Sequence, residues 1–227
     1  MNMKKIYIVL AVFLLIIAVF SVLRAKTDRW NLWGFGDAQE LNAAIHYVNE
    51  GFLKHFFLPI YNPGYLGLGG WNMSEPGYYT HYHGLPSTIL GAGIKIFGEN
   101  RFLFRCIMIF LSVIGLLFWF RTVSVLFNEK NALIFVIFMG ISTSFLDLID
   151  GLCGVSYDEF YLPAAIYFFI LADRNKKPFF LLFTWFFTFL QSINTFDYYI
   201  FLQVFFAGYF LLLKKESPFP YKKIIFL

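Results

Sequence analysis

Apolar residues come along this chain in long blocks separated by short polar clusters. The first block, residues 6–23, follows Met1-Asn2-Met3-Lys4-Lys5 and carries no charge. At about 1.5 Å of rise per residue, such a helix nearly crosses a hydrocarbon core about 30 Å thick. A cleaved signal peptide starts the same way, but its apolar stretch is shorter and ends in small residues. Val22-Leu23-Arg24-Ala25 is a poor cleavage site, so the pattern predicts an uncleaved anchor. Further apolar blocks predict helices over 102–120, 132–146, 160–172, 179–196 and 198–213. The block 85–97 is shorter, contains Gly91, Gly93 and Lys95, and is entered through Pro86. It predicts an interfacial or re-entrant helix rather than a span. Residues 37–54 show a different pattern: Leu41, Ala44, Ile45, Val48 and Phe52 recur at helical spacing. Gln39, Glu40, Asn42, His46, Asn49 and Glu50 fall on the other face, which predicts an amphipathic surface helix.

Composition sharpens the class. Of 227 residues 59% are apolar and 14% charged, against about 45–50% and about 25% in soluble domains. A soluble domain of this length leaves too much surface wet to hide so much apolar area. Soluble enzymes, nucleic-acid-binding domains and disordered chains are excluded on that ground. Aromatics reach 22%, led by 32 Phe, which suits a lipid solvent. Two cysteines are no disulfide framework, although Cys106 and Cys153 both fall near the ends of apolar blocks, and their pairing is left open.

The net charge of +4 is explained by topology. Short cytoplasmic loops collect Lys and Arg. If 85–97 does not span, Lys4, Lys5, Arg121, Lys130, Arg174, Lys176, Lys177, Lys214, Lys215, Lys222 and Lys223 all fall on one side. Asp147, Asp150, Asp158, Glu159 and Asp197 fall on the other. The expected fold is therefore an all-α polytopic membrane protein with about six transmembrane helices and both ends cytoplasmic. A long first outer loop, 24–101, carries juxtamembrane helices 37–54 and 85–97. A second, acidic outer loop covers 147–160. Residues 221–227 read as the start of another span, so 1–227 is expected to be one transmembrane domain cut from a longer protein.

The outer loops hold the candidate chemistry. Asp37-Ala38-Gln39-Glu40 fits a capping box, with Asp37 at the N-cap and Glu40 three residues on. The same carboxylate at a membrane surface is placed to take a proton from a hydroxyl or amine. Residues 55–84 are rich in Gly, Pro and aromatics, which excludes long regular elements. Their Tyr and Trp suit a membrane interface or the stacking of sugar rings. His81 and His83, two apart, share one side of an extended segment. They read as interfacial packing, as substrate contacts or as part of a metal site. Arg101 and Arg105 lie at the outer edge of a span, where they either snorkel or clamp a lipid-linked phosphate. Asp158 and Glu159 either cap the next helix or serve a site. Asn72-Met73-Ser74 is a sequon, relevant only in a cell that glycosylates this face.

Order and spacing then suggest a family. A first span is followed by Gly36-Asp37-Ala38-Gln39-Glu40. Next come Tyr79-Thr80-His81-Tyr82-His83-Gly84-Leu85-Pro86, then Phe97-Gly98-Glu99-Asn100-Arg101 and Arg105. Over about residues 6–172 this resembles the N-terminal half of GT-C glycosyltransferases. It looks most like bacterial relatives of protein O-mannosyltransferases and of the lipid A aminoarabinose transferase. The pattern departs at Ala38, where a second acid is common, and at His83-Gly84-Leu85-Pro86, which replaces paired prolines. The resemblance implies that Asp37 is the catalytic acid of the first outer loop. It also implies that Gly154-Val155-Ser156-Tyr157-Asp158-Glu159 matches an acidic motif that in oligosaccharyltransferases helps hold a divalent metal. Mg²⁺ or Mn²⁺ at Asp158 and Glu159 is the cofactor expectation.

The expected function is transfer of a sugar from a polyprenyl-phosphate donor to a glycan, lipid or protein acceptor. It would take place at the outer face of a bacterial inner (plasma) membrane, as part of the cell envelope. Asp37 is the expected general base and Asp158 a second catalytic residue. Glu40, Tyr79, His81, His83, Arg101 and Arg105 are the expected substrate contacts. One base and a single displacement predict inversion at the anomeric carbon. The alternatives are a transporter or flippase subunit, which would place ionisable groups mid-span, and a non-catalytic membrane scaffold.

Overall fold

The computed structural model describes residues 2–27, 34–59 and 84–209. Tyr79, His81, His83 and the sequon lie outside the described residues. Among those described the chain is all-helical. Nine α-helices follow in order: α1 Met3–Ala25, α2 Gly34–Glu50, α3 Leu85–Phe97, α4 Arg101–Leu126, α5 Glu129–Gly140, α6 Thr143–Leu148, α7 Gly154–Asn175, α8 Pro178–Ser192 and α9 Phe196–Gly208. A short 3₁₀ turn, Leu53–His55, follows α2.

Among the described residues two helices, α1 and α4, are long and apolar enough to cross a membrane. A buried core helix would pass the same test, but α1 buries only 28% of its apolar window. Ile6, Leu10, Leu14, Ile17, Ser21 and Ala25 form its one buried stripe. Ile8, Leu15, Ile16, Phe20 and Leu23 point away from the bundle. A helix that is apolar all round and covered on one side only is at odds with water on the other.

Helix α4 is the wall shared by two cores. One core joins α1, α4, α5 and α6 through residues such as Leu116, Phe120, Val136 and Phe145. The other is built on α7, with Phe104 and Met108 of α4, Phe187 of α8, and Leu202 and Phe206 of α9. The α4–α7 contact has a local cause. Pro163 lies inside α7 and has no N–H, so the Glu159 carbonyl loses its donor four residues on. That carbonyl faces Gly115 of α4, where any Cβ would collide with it. Glycine there lets the two helices close.

Predicted and observed elements differ where side chains interrupt a block. The 132–146 block is two helices, because the chain breaks after Gly140 and Ser142 caps α6 by accepting from the Phe145 N–H at 3.2 Å. Helix α8 stops at Ser192, short of the expected 196. The surface helix starts at Gly34, three residues before Asp37. Asp37 is therefore not its N-cap, and the capping box is not formed. Asp158 and Glu159 lie inside α7 rather than capping it, since α7 opens at Gly154 with Cys153 as its cap residue. Cys106 and Cys153 are both free thiols.

Candidate functional site

Buried polar groups gather where the C-terminal ends of α1 and α8 meet the N-terminal ends of α4, α7 and α9, beside α2 and α3. Asp37 sits in the first turn of α2 and is 1% exposed. Its Oδ1 accepts two backbone N–H groups, from Leu152 at 2.8 Å and Cys153 at 3.0 Å. These N–H groups lie at the entrance to α7, where α7's own cap residue offers no side-chain acceptor. The carboxylate satisfies them from another helix, at the positive end of the α7 dipole. This use of Oδ1 explains why the local capping position goes unfilled. Asp37 Oδ2 is buried and has no hydrogen-bond partner among the described residues.

Burial raises the Asp37 pKa above its ordinary value; the two backbone N–H groups and the charge of Arg105 oppose that rise, and Asp150 adds to it. Arg105, on α4, is 9% exposed and donates to the Thr27 carbonyl at 3.4 Å. Arg24, at the end of α1, pairs with Asp150 in the link between α6 and α7. Two arginines and two aspartates thus share the head of the bundle. Glu40, one turn after Asp37, is 7% exposed and accepts from Ser87 Oγ of α3. Helix α2 therefore buries the face carrying Asp37, Glu40, Ala44 and Tyr47. The face runs through Glu40, which the periodicity had placed on the wet side. Cys153 is no nucleophile at neutral pH, because burial pushes its thiol up to about 12.

A second cluster lies one turn into α7. Asp158 accepts from Gln191 Nε2, from Asn194 Nδ2 at 2.6 Å and from Thr195 Oγ1 at 2.8 Å. Asn194 Nδ2 also reaches the Gly154 carbonyl at 2.8 Å. Asp158 is thus the acceptor that fixes the α8–α9 turn onto α7. The one signal in the sequence for residues 191–195 is the Gln191-Ser192-Ile193-Asn194-Thr195 interruption of the apolar block, which by itself names no partner.

The Asp158 carboxylate is taken up by three donor side chains, and no group of three or more His, Cys, Asp or Glu among the described residues could hold a metal. Both carboxylates are tied to the same end of α7, Asp37 just before it and Asp158 within it. Arg101 stays apart from them: it is exposed and pairs with Glu99 at 3.4 Å. Of the expected site residues, the structure thus brings Asp37, Glu40 and Arg105 together, sets Asp158 one turn away and leaves Arg101 at the rim. Ser87, Arg24, Gln191, Asn194 and Thr195 are additions that only the fold reveals.

No family model, curated protein or solved structure matches this chain.

Proposed function

We propose that the chain belongs to a polytopic membrane glycosyltransferase of the GT-C type. It transfers a sugar from a polyprenyl-phosphate donor to an acceptor at the outer membrane face. The observation that carries this is the division of labour within one carboxylate. Asp37 Oδ1 is anchored by two backbone N–H groups, while Oδ2 is buried, unpartnered among the described residues, and raised in basicity. A base needs this combination: a fixed position, a free oxygen and a pKa above the usual carboxylate value.

In the proposed reaction the acceptor O–H gives its proton to Asp37 Oδ2 as its oxygen attacks the anomeric carbon. The bond from that carbon to the phosphate oxygen breaks, and the phosphate leaves with the electron pair. Arg105, buried beside Asp37, offsets the charge that develops there. Asp158 acts at one remove, by holding the α8–α9 turn. The tail of such a donor stays in the bilayer, so the site belongs at an interface. In this reading α1, α4, α5 with α6, α7, α8 and α9 are the spans. The shorter ones are accommodated by local thinning of the bilayer. A non-catalytic scaffold is favoured by one observation only: Asp37 Oδ1 and the Asp158 carboxylate already have structural donors.

The experiment is sugar transfer from a lipid-linked donor by the detergent-solubilised full-length protein, wild type against Asp37→Asn. Asn keeps an oxygen acceptor for Leu152 and Cys153 but has no proton-accepting carboxylate. The expected result is an unchanged melting temperature with transfer down at least about 100-fold, the lower end of what a positioned base contributes. Transfer within a few-fold of wild type would leave Asp37 as a structural acceptor for the α7 entrance.

A further inference from the structure

A cleft of about 250 Å³ lies between α8 and α9 and runs back to Phe169 of α7. Its walls are mainly apolar, formed by Leu181, Trp185, Phe189 and Phe206. Two hydrogen-bond donors do not belong in such a slot. Thr188 is 8% exposed, and its hydroxyl has no partner among the described residues. The amide nitrogen of Gln203, across the cleft on α9, is buried and equally without one. A mid-helix threonine ordinarily bonds the carbonyl four residues back. Thr184, one turn earlier, does so, donating to the Phe180 carbonyl at 3.0 Å. Thr188 does not. An unpaired donor buried among apolar groups costs free energy unless something supplies an acceptor.

The depth of the donors indicates what that acceptor is. Thr188 lies four residues, about 6 Å, from the end of α8 that meets the polar head of the bundle. Gln203 lies seven residues, about 10 Å, along α9 from the same end. An occupant must therefore present an acceptor a little below the membrane surface and continue as an apolar chain along Leu181 and Phe206. A polyprenyl chain has no acceptor at that depth, whereas an ester carbonyl at the head of an acyl chain has one. Resting only on the membrane-spanning arrangement proposed above, and not on sugar transfer, we propose that this cleft binds one acyl chain of an ester-linked lipid, its carbonyl held by Thr188 and Gln203. The lipid is a constituent of the bilayer, whose phospholipids present that ester and chain.

Trp185 lines the cleft and supplies the readout. The full-length protein in detergent is titrated with phosphatidylglycerol carrying brominated acyl chains, and separately with its brominated dialkyl-ether analogue. Quenching is taken as the difference from Trp185→Phe, which removes the signal of the other tryptophans. Saturable quenching is expected, with the ester lipid binding about fivefold more tightly than the ether, the effect of one net hydrogen bond. The preference should vanish in Thr188→Val/Gln203→Leu, or in Gln203→Leu alone if the double variant is unstable. Equal affinity for ester and ether in the wild type would overturn the carbonyl assignment. Absence of Trp185-dependent quenching would overturn the site and point to protein filling the cleft. Neither outcome bears on whether the protein transfers sugar.

Discussion

At the scale of single residues the account turns on a carboxylate whose neighbours come from far away in the chain. Asp37 was legible as a candidate because an acid opening a surface helix is conspicuous among apolar blocks. Its partners were not legible: the nearest donor is 115 positions on, and no local rule links an α2 side chain to the α7 entrance. The local rule that did apply, the capping box, gave way to two buried N–H groups needing an acceptor. Arg105 was legible as a cation but not as a charge that acts on Asp37. This influence makes a signed prediction. A base must be deprotonated, so transfer should rise with pH through the Asp37 pKa. Burial places that limb above the ordinary carboxylate range. Arg105→Gln removes a charge that stabilises the carboxylate, so the limb should move to higher pH. A pH profile of transfer for the two proteins checks this. A limb that stays put would show that Arg105 does not act on the base.

At the scale of elements the sequence was most readable where a block is uniform. Helix α3 is observed over the residues that hydropathy predicted, 85–97. It was least readable where a polar group inside a block serves tertiary contacts, as with Gln191, Asn194 and Thr195, which end α8 and bind Asp158. Asp158→Ala would remove the acceptor shared by three buried donors, leaving the Thr195 hydroxyl with none, while Gln191 Nε2 keeps Thr195 Oγ1 and Asn194 Nδ2 keeps the Gly154 carbonyl. The expected loss is at least about 2 kcal/mol of stability, read as a lower melting temperature in detergent. An unchanged melting temperature would return Asp158 to the candidate catalytic groups. The α4–α7 contact makes a second prediction. Gly115→Ala drives a methyl group into the Glu159 carbonyl, a backbone group that cannot swing away. It should cost about 1–3 kcal/mol, as overpacking does. Gly208→Ala meets nothing within 4 Å among the described residues and is the control. It should be neutral or slightly stabilising, since Ala favours helix over Gly.

At the scale of the whole molecule, charge ties sequence and fold together. Exposed Lys4, Lys5, Arg121, Lys130, Arg174, Lys176 and Lys177 lie at the N-terminal ends of α1, α5 and α8 and the C-terminal ends of α4 and α7, while Lys26 and Arg101, also exposed, lie at the other end. Of the five buried acids among the described residues, Asp37, Glu40, Asp150 and Asp158 lie at or near that other end, and Asp173 lies at the basic end, where the Tyr209 hydroxyl donates to it at 2.8 Å. The two populations were separable from loop order alone, because antiparallel helices alternate ends. The depth to which the acids are buried was not, since burial depends on which helices meet at the head. The central proposal is that this bundle crosses a membrane with its acidic head, and Asp37 within it, on the outer side. The most direct measurement places single cysteines at Glu99, beside the head, and at Asn175, in the basic link between α7 and α8. Both positions are exposed, and Cys106→Ala removes the more accessible native thiol. An impermeant maleimide added to intact cells should label Glu99→Cys at once and Asn175→Cys only after the membrane is permeabilised. Labelling of Asn175→Cys from outside, or protection of Glu99→Cys, would contradict the orientation and with it the place of the site.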